Sequence, residues 1–196
     1  MAGNGRHQDI TSTLVADVTF VVLDVETTGA SPAAAALTEV AALLVRDQEH
    51  LASFQSLVDA RVPVPAYITD ITGISEEMVR GAPGPAEVAQ ELVRFSQGAV
   101  IVGHNVGFDL SFLNAALAAG GFPPMDGPVL DTLRLARRLV RKEVPDCKLA
   151  TLASTLGLRH QPSHRSLDDV LATVDLLYLL IERAGGSDSV SLRDLL

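Results

Sequence analysis

Two acids close an otherwise apolar run, Phe20-Val21-Val22-Leu23-Asp24-Val25-Glu26, which leads into the turn Thr27-Thr28-Gly29. Side chains along a β-strand alternate with a period of two, so Asp24 and Glu26 point to one face. Nothing basic lies within the segment to neutralise them. Carboxylates held this close raise each other's pKa or require a cation between them, and a divalent metal meets that requirement. Acids at an exposed strand end are the plain alternative. Against it, the unbroken Val21, Val22 and Leu23 read as a strand buried on both faces.

Three further acid-bearing segments have distinctive neighbours. In Val102-Gly103-His104-Asn105-Val106-Gly107-Phe108-Asp109, which follows the apolar run 99–102, Asp109 falls at the first turn of a helix continuing through Leu110, Phe112, Leu113, Ala116 and Leu117. An acid there suits a helix N-terminus without any catalytic role. The company of His104 and Asn105 in a glycine-flanked strand-to-helix loop points instead to a site, because open α/β sheets place their sites in such loops. In His164-Arg165-Ser166-Leu167-Asp168-Asp169, Ser166 and Asp169 have the spacing of a capping pair. The same segment can present His164 and Asp169 to one cleft, with the histidine able to exchange protons near neutral pH. Asp131-Thr132-Leu133 reads as a helix cap followed by an apolar helix.

Taken in order, Asp24-x-Glu26-Thr27-Thr28-Gly29, His104-Asn105-x-x-Phe108-Asp109 and His164-x4-Asp169 resemble the three motifs of the DEDDh (DnaQ-like) 3′–5′ exonucleases. The likeness runs over residues 18–184 and is greatest to the branch of the epsilon proofreading subunit of bacterial DNA polymerase III. Thr72-Gly73-Ile74 and Asp131-Thr132-Leu133 match further segments of the family. The resemblance implies four metal ligands, Asp24, Glu26, Asp109 and Asp169, holding two divalent ions. Oxygen ligands without thiolates suit Mg²⁺ or Mn²⁺. It implies His164 as the general base, and nucleoside 5′-monophosphates released from the 3′ end of a single strand by a two-metal mechanism. Thr27, Thr28, Thr72, His104 and Asn105 are expected to contact the substrate. DNA is the expected strand. An RNA 3′-end-processing exoribonuclease is the alternative, or a non-catalytic subunit bound to a polymerase, for which a DNA polymerase III contact is the expected partner. Ser166 stands where the family usually has alanine.

The elements that must position these residues form an α/β pattern, and the resemblance implies a ribonuclease-H-like fold. That fold has a mixed five-stranded sheet, an antiparallel meander followed by parallel strands, flanked by helices. Strands are expected over 17–25, 37–46, 51–59, 99–102 and 129–130, the second and third joined by the polar run 46–50. A loop punctuated by Pro63 and Pro65 follows. Ser75 caps a short helix with Glu76 and Glu77 in its first turn, and Pro85 opens another. Helices are expected over 108–119, 131–141, 148–156 and 166–184, with Phe108 more a core residue than a base-stacking one.

The chain has 196 residues, 47% of them hydrophobic, enough for one sizeable core. Residues 1–16 are expected to form a flexible arm, 17–184 the exonuclease domain and 185–196 a short tail. No apolar run has the length of a membrane span or the pattern of a signal peptide, so a cytoplasmic location without membrane contact is expected. The single cysteine, Cys147, excludes an internal disulfide and a thiolate cluster. A net charge of −9 argues against broad binding to duplex through phosphates. Arg134, Arg137, Arg138, Arg141 and Lys142 are the one concentrated positive run, to be read as a solvated helix face or as a patch that tracks a strand.

Overall fold

The computed structural model describes residues 10–196. Five strands, β1 (Phe20–Thr27), β2 (Leu37–Arg46), β3 (Glu49–Leu57), β4 (Val100–Gly103) and β5 (Val129–Asp131), form one sheet in the order β3-β2-β1-β4-β5. β1, β2 and β3 pair antiparallel as a meander, and β4 and β5 add in parallel beside β1. The chain between them forms α1 (Ala66–Thr72), α2 (Glu76–Val79), α3 (Pro85–Phe95), α4 (Gly107–Ala119), α5 (Thr132–Leu139), α6 (Leu149–Leu156), α7 (Ser166–Ala184) and α8 (Leu192–Leu195).

The sheet separates two apolar cores. One face packs against α5, α6, α7 and α8 through residues such as Leu135, Leu152, Leu176 and Leu192. The other packs against α3 and α4 through Leu92, Leu113 and Leu117. β1 feeds both: Phe20 and Val22 enter the first core, Val21, Leu23 and Val25 the second. The same alternation puts Asp24 and Glu26 on the α7 face, where the apolar row gives way to acids at the carboxyl end of the strand.

Local chemistry sets most boundaries. Ser75 accepts a hydrogen bond from the Met78 N–H at 3.3 Å, Pro85 occupies the start of α3, and Asp131 accepts from the Leu133 N–H at 2.9 Å. The helix α1 follows the proline-punctuated loop, in a stretch for which no helix was expected. Its seven residues are mostly β-branched or aromatic, poor helix formers. It is held at its end by Gly73 in the left-handed conformation (φ 71°) and by Thr69, whose hydroxyl donates to the Ile74 carbonyl at 2.9 Å.

Of the arm expected over 1–16, residues 1–9 lie outside the described residues. Residues 10–17 are not loose. They form two short 3₁₀ turns, with Val15 in the core, and they pair with the tail: Val15 N–H donates to the Val190 carbonyl at 2.9 Å and Leu192 N–H to that of Thr13 at 3.0 Å. Burial of Leu192 and Leu195 anchors the tail in turn. Among the described residues no helix is long and apolar enough to cross a membrane.

Candidate active site

Four carboxylates meet at the carboxyl ends of β1 and β4. Asp24 and Glu26 come from β1 and Asp109 from the first turn of α4, whose carboxylate accepts from the Val25 N–H at 3.0 Å, bridging α4 to β1. Asp169 comes from the first turn of α7. Suitable ligand atoms of Glu26, Asp169 and the exposed His164 lie within 4.8 Å of one another.

The electrostatics of this cluster are those of a site built for a cation. Burial, then the charges of Asp109, Asp169, Glu26 and Glu39, push Asp24 well above the usual carboxylate range. Burial and the neighbouring acids push Glu26 up to about 8, and burial pushes Asp109 up to about 8. Asp169 is also raised, chiefly by burial. One oxygen of Asp24, Oδ2, is buried and without a hydrogen-bond partner among the described residues. A buried carboxylate oxygen with nothing to accept from, facing three more acids, fits a divalent cation and little else. The four carboxylates offer oxygen donors, which suit a hard ion.

The loop bearing His164 is held from three sides. The Asp169 carboxylate accepts from the N–H groups of Ser163 (2.9 Å) and His164 (3.2 Å). His164 itself has φ 60°, in the left-handed region that a side chain disfavours. Next to it, Arg165 forks onto Glu39 of β2, and the Ser166 N–H donates to the same carboxylate at 3.1 Å. Glu39 pairs in register with Glu26 and is 1% exposed. Its burial would raise its pKa, but hydrogen bonds from Arg165 and Ser166 outweigh this and hold it below the usual value. Sequence reading missed Glu39 and Arg165. The available signal was an acid inside the apolar strand Leu37-Thr38-Glu39-Val40.

The Ser166–Asp169 capping pair does not form. Arg165 occupies the cap position, the Ser166 hydroxyl is buried without a partner among the described residues, and Asp169 is spent on the histidine loop.

Several of the residues expected to contact substrate have their polar groups already engaged. Thr27 donates its hydroxyl to the Gly29 carbonyl at 2.7 Å, and Thr28 accepts from the Ala36 N–H at 2.9 Å. Thr72, at the end of α1, donates to the Ile68 carbonyl and accepts from the Ile74 N–H. His104 is a latch: Nε2 lies 2.9 Å from the Cys147 carbonyl and Nδ1 3.0 Å from the Thr132 hydroxyl. A carbonyl only accepts, so Nε2 carries the proton; burial lowers the pKa of the ring, and the Thr132 hydroxyl beside Nδ1 donates to the Gly103 carbonyl at 3.1 Å. Asn105, at φ 68°, donates its N–H to Asp131 at 3.0 Å while its side chain stays in an exposed position. Phe108 packs on Phe112 with ring centroids 5.0 Å apart, as a core residue would.

A mixed sheet of this order, with acids from β1, α4 and α7 and a histidine beside them, defines a ribonuclease-H-like nuclease. Residues 21–177 match the RNase_T exonuclease family, and the chain belongs to it. It is 41% identical over 177 residues to a Mycobacterium tuberculosis protein named as a bifunctional exonuclease/endonuclease, covering 86% of this chain and 27% of that protein. To the PolC-type DNA polymerase III of Latilactobacillus sakei it is 40% identical over 165 residues, covering 84% of this chain and 11% of the relative. The chain thus spans about a quarter or less of these relatives. Among solved structures, E. coli exonuclease I in complex with a dT13 oligonucleotide superposes with a TM-score of 0.74 at 22% identity over 85% of this chain and 41% of that one. Exonuclease X in complex with 5′-overhanging duplex DNA gives 0.69 at 24%, covering 89% and 99%. These two likenesses establish the shared fold.

Proposed function

We propose that this exonuclease hydrolyses single-stranded DNA from its 3′ end and releases nucleoside 5′-monophosphates. The observation that carries the reading is the buried, unpartnered Oδ2 of Asp24 among Glu26, Asp109 and Asp169, with the exposed His164 alongside. Asp24, Glu26, Asp109 and Asp169 would hold two Mg²⁺ or Mn²⁺ ions. When bound, such ions lower the pKa of a water and stabilise charge on the phosphate and the leaving oxygen.

His164 would take the proton of the attacking water. Its ring is exposed, and its backbone is fixed by Asp169 and by the neighbouring Arg165–Glu39 fork, so the base can meet solvent without losing its place. The engaged hydroxyls of Thr27 and Thr28 stiffen the turn after β1. Together with Thr72 and the Asn105 loop, that turn would frame the terminal nucleotide. His104 supports this frame from behind.

The DNA assignment draws on the DNA-bound exonucleases that share the fold and on the PolC-type polymerase relative, which also supports a polymerase III contact. The test is digestion of 5′-labelled DNA and RNA of one sequence, with Mg²⁺, Mn²⁺ or chelator, by wild type, Asp24→Asn and His164→Ala. A metal-dependent ladder shortening from the 3′ end, faster on DNA and lost in Asp24→Asn, is the expected result. Faster shortening of RNA selects the RNA-processing alternative. Absence of cleavage with either metal leaves a non-catalytic, polymerase-bound role.

A further inference from the structure

The positive run of α5 follows Asp131, whose charge reaches Asp109 of the carboxylate cluster, and has few partners of its own. Arg134, Arg137 and Arg138 stand three and four residues apart, within an arc of about 100° on a helix; all three are exposed, while Leu135 and Ala136 face the core. The chain holds 24 acids against 15 Lys and Arg, and Arg80, Arg165 and Arg183 each pair with a carboxylate. Arg138 donates to the carbonyls of Asp194 and Leu195, and Arg141 to that of Val144. Arg134 and Arg137, among the described residues, have neither an ion pair nor a hydrogen bond to their side chains.

Their placement is tied to the site by short links. α5 begins where β5 ends, and its first residues hold the loop after β4: Asp131 accepts from the Asn105 N–H, and Thr132 meets His104. Arg134 lines a cavity of about 400 Å³ together with Val106 and Gly107, at the start of the helix whose third residue is Asp109. Arg137 lies near enough to His104 for its charge to oppose protonation of that ring. The row therefore starts at the carboxyl end of β5, beside the loop after β4, and leads away from it along α5. Asp131 is the acid on this path, and its Oδ1 is already spent on two backbone N–H groups.

A strand whose 3′ end sits among four carboxylates carries further phosphates into a protein with a net charge of −9, where few cations are available to meet them. We infer that Arg134 and Arg137 form a phosphate track for the part of a single strand that lies 5′ of the terminal nucleotides. This rests on the exonuclease reading above. It makes α5 the element through which a long strand is preferred over a short one.

The test compares wild type with the double variant Arg134→Gln/Arg137→Gln on dT20 and dT3 with Mg²⁺ over a KCl series. The p-nitrophenyl ester of thymidine 5′-monophosphate, which has no strand, is assayed alongside. The variant is expected to lose about tenfold of the dT20-over-dT3 preference in kcat/KM, and its dT20 plot of log(kcat/KM) against log[KCl] to flatten by about 1.4, at ~0.7 per phosphate contact in a single strand. Unchanged preference and slope, with the ester still cleaved, overturn the track and leave the exonuclease standing. If wild type cleaves neither ester nor strand, the exonuclease reading fails. Fluorescence anisotropy of labelled dT20 in chelator then decides the track: equal affinity of the two proteins overturns it, and a clearly weaker variant supports it.

Discussion

Arg165 donates through Nε and Nη2 to the two oxygens of Glu39, at 3.1 and 2.7 Å, across a sequence separation of 126 residues. The fork joins the strand beside β1 to the residue next to His164. The two partners are unequally buried: the Glu39 side chain is 1% exposed and that of Arg165 37%. Removing the arginine strands a buried charge, whereas neutralising the acid lets the guanidinium turn to water. Arg165→Ala is therefore expected to cost about 3 kcal/mol and Glu39→Gln about 1 kcal/mol. Denaturant melts measure both, and equal costs would show that the fork is not the controlling contact. Both variants should lower kcat more than they raise KM, because the loop of His164 loses its anchor.

Asp24→Asn separates stability from activity. The native acid is buried, faces like charges and has an unpartnered oxygen, so neutralising it relieves repulsion in the metal-free protein. In chelator, the variant is expected to melt a few degrees higher than wild type while its nuclease rate falls by about 10³ or more. A lower melting temperature with cleavage retained would remove Asp24 from the site.

The pH dependence of the metal-free protein follows from Glu26 and Asp109, both pushed up to about 8. The folded state keeps protons there that the unfolded chain releases near pH 4. Their contribution to stability is full below that unfolded range and is lost as pH rises through about 8. Glu39, with its lowered pKa, acts in the opposite sense: its contribution is present above its ordinary range and lost on acidification. In chelator the melting temperature should fall between pH 5 and 8 and level off above, and Mg²⁺ should remove most of that fall. Calorimetry of Mg²⁺ binding at pH 7 in buffers of different ionisation enthalpy should register proton release that disappears above pH 9. A flat melting profile in chelator would contradict the raised values.

The latch beneath the site can be tested without touching the carboxylates. A Cβ on Gly103 would lie 3.0 Å from Val106 and 3.2 Å from the Leu23 carbonyl, and the latter is backbone that cannot move aside cheaply. Gly103→Ala is expected to cost about 1–3 kcal/mol. Thr132→Val removes the hydroxyl that donates to the Gly103 carbonyl and meets His104, at about 1–2 kcal/mol. Thermal melts check both. Activity surviving in Thr132→Val at permissive temperature would assign His104 a supporting role rather than a contact with substrate.

The sequence by itself determined what depends on neighbours in the chain. The period of two along β1 places Asp24 and Glu26 on one face, and the apolar spacing of α7 sets its limits at 166–184 as found. Serine, aspartate and proline mark the starts of α2, α5 and α3, because a cap or a fixed φ acts within one turn. The order of acids and histidines along the chain likewise carried the family. Tertiary structure decided which of several possible partners each polar group takes. Asp169 holds the His164 loop rather than completing a cap with Ser166, His104 bonds Cys147 and Thr132, and Glu39 meets Arg165. Residues 10–17 are ordered by pairing with the tail, and α1 forms despite weak propensity because its end is tied down. Each of those choices is a long-range closure or a competition between donors of similar strength. Only the packed sheet, by bringing distant residues within hydrogen-bond reach, settles them.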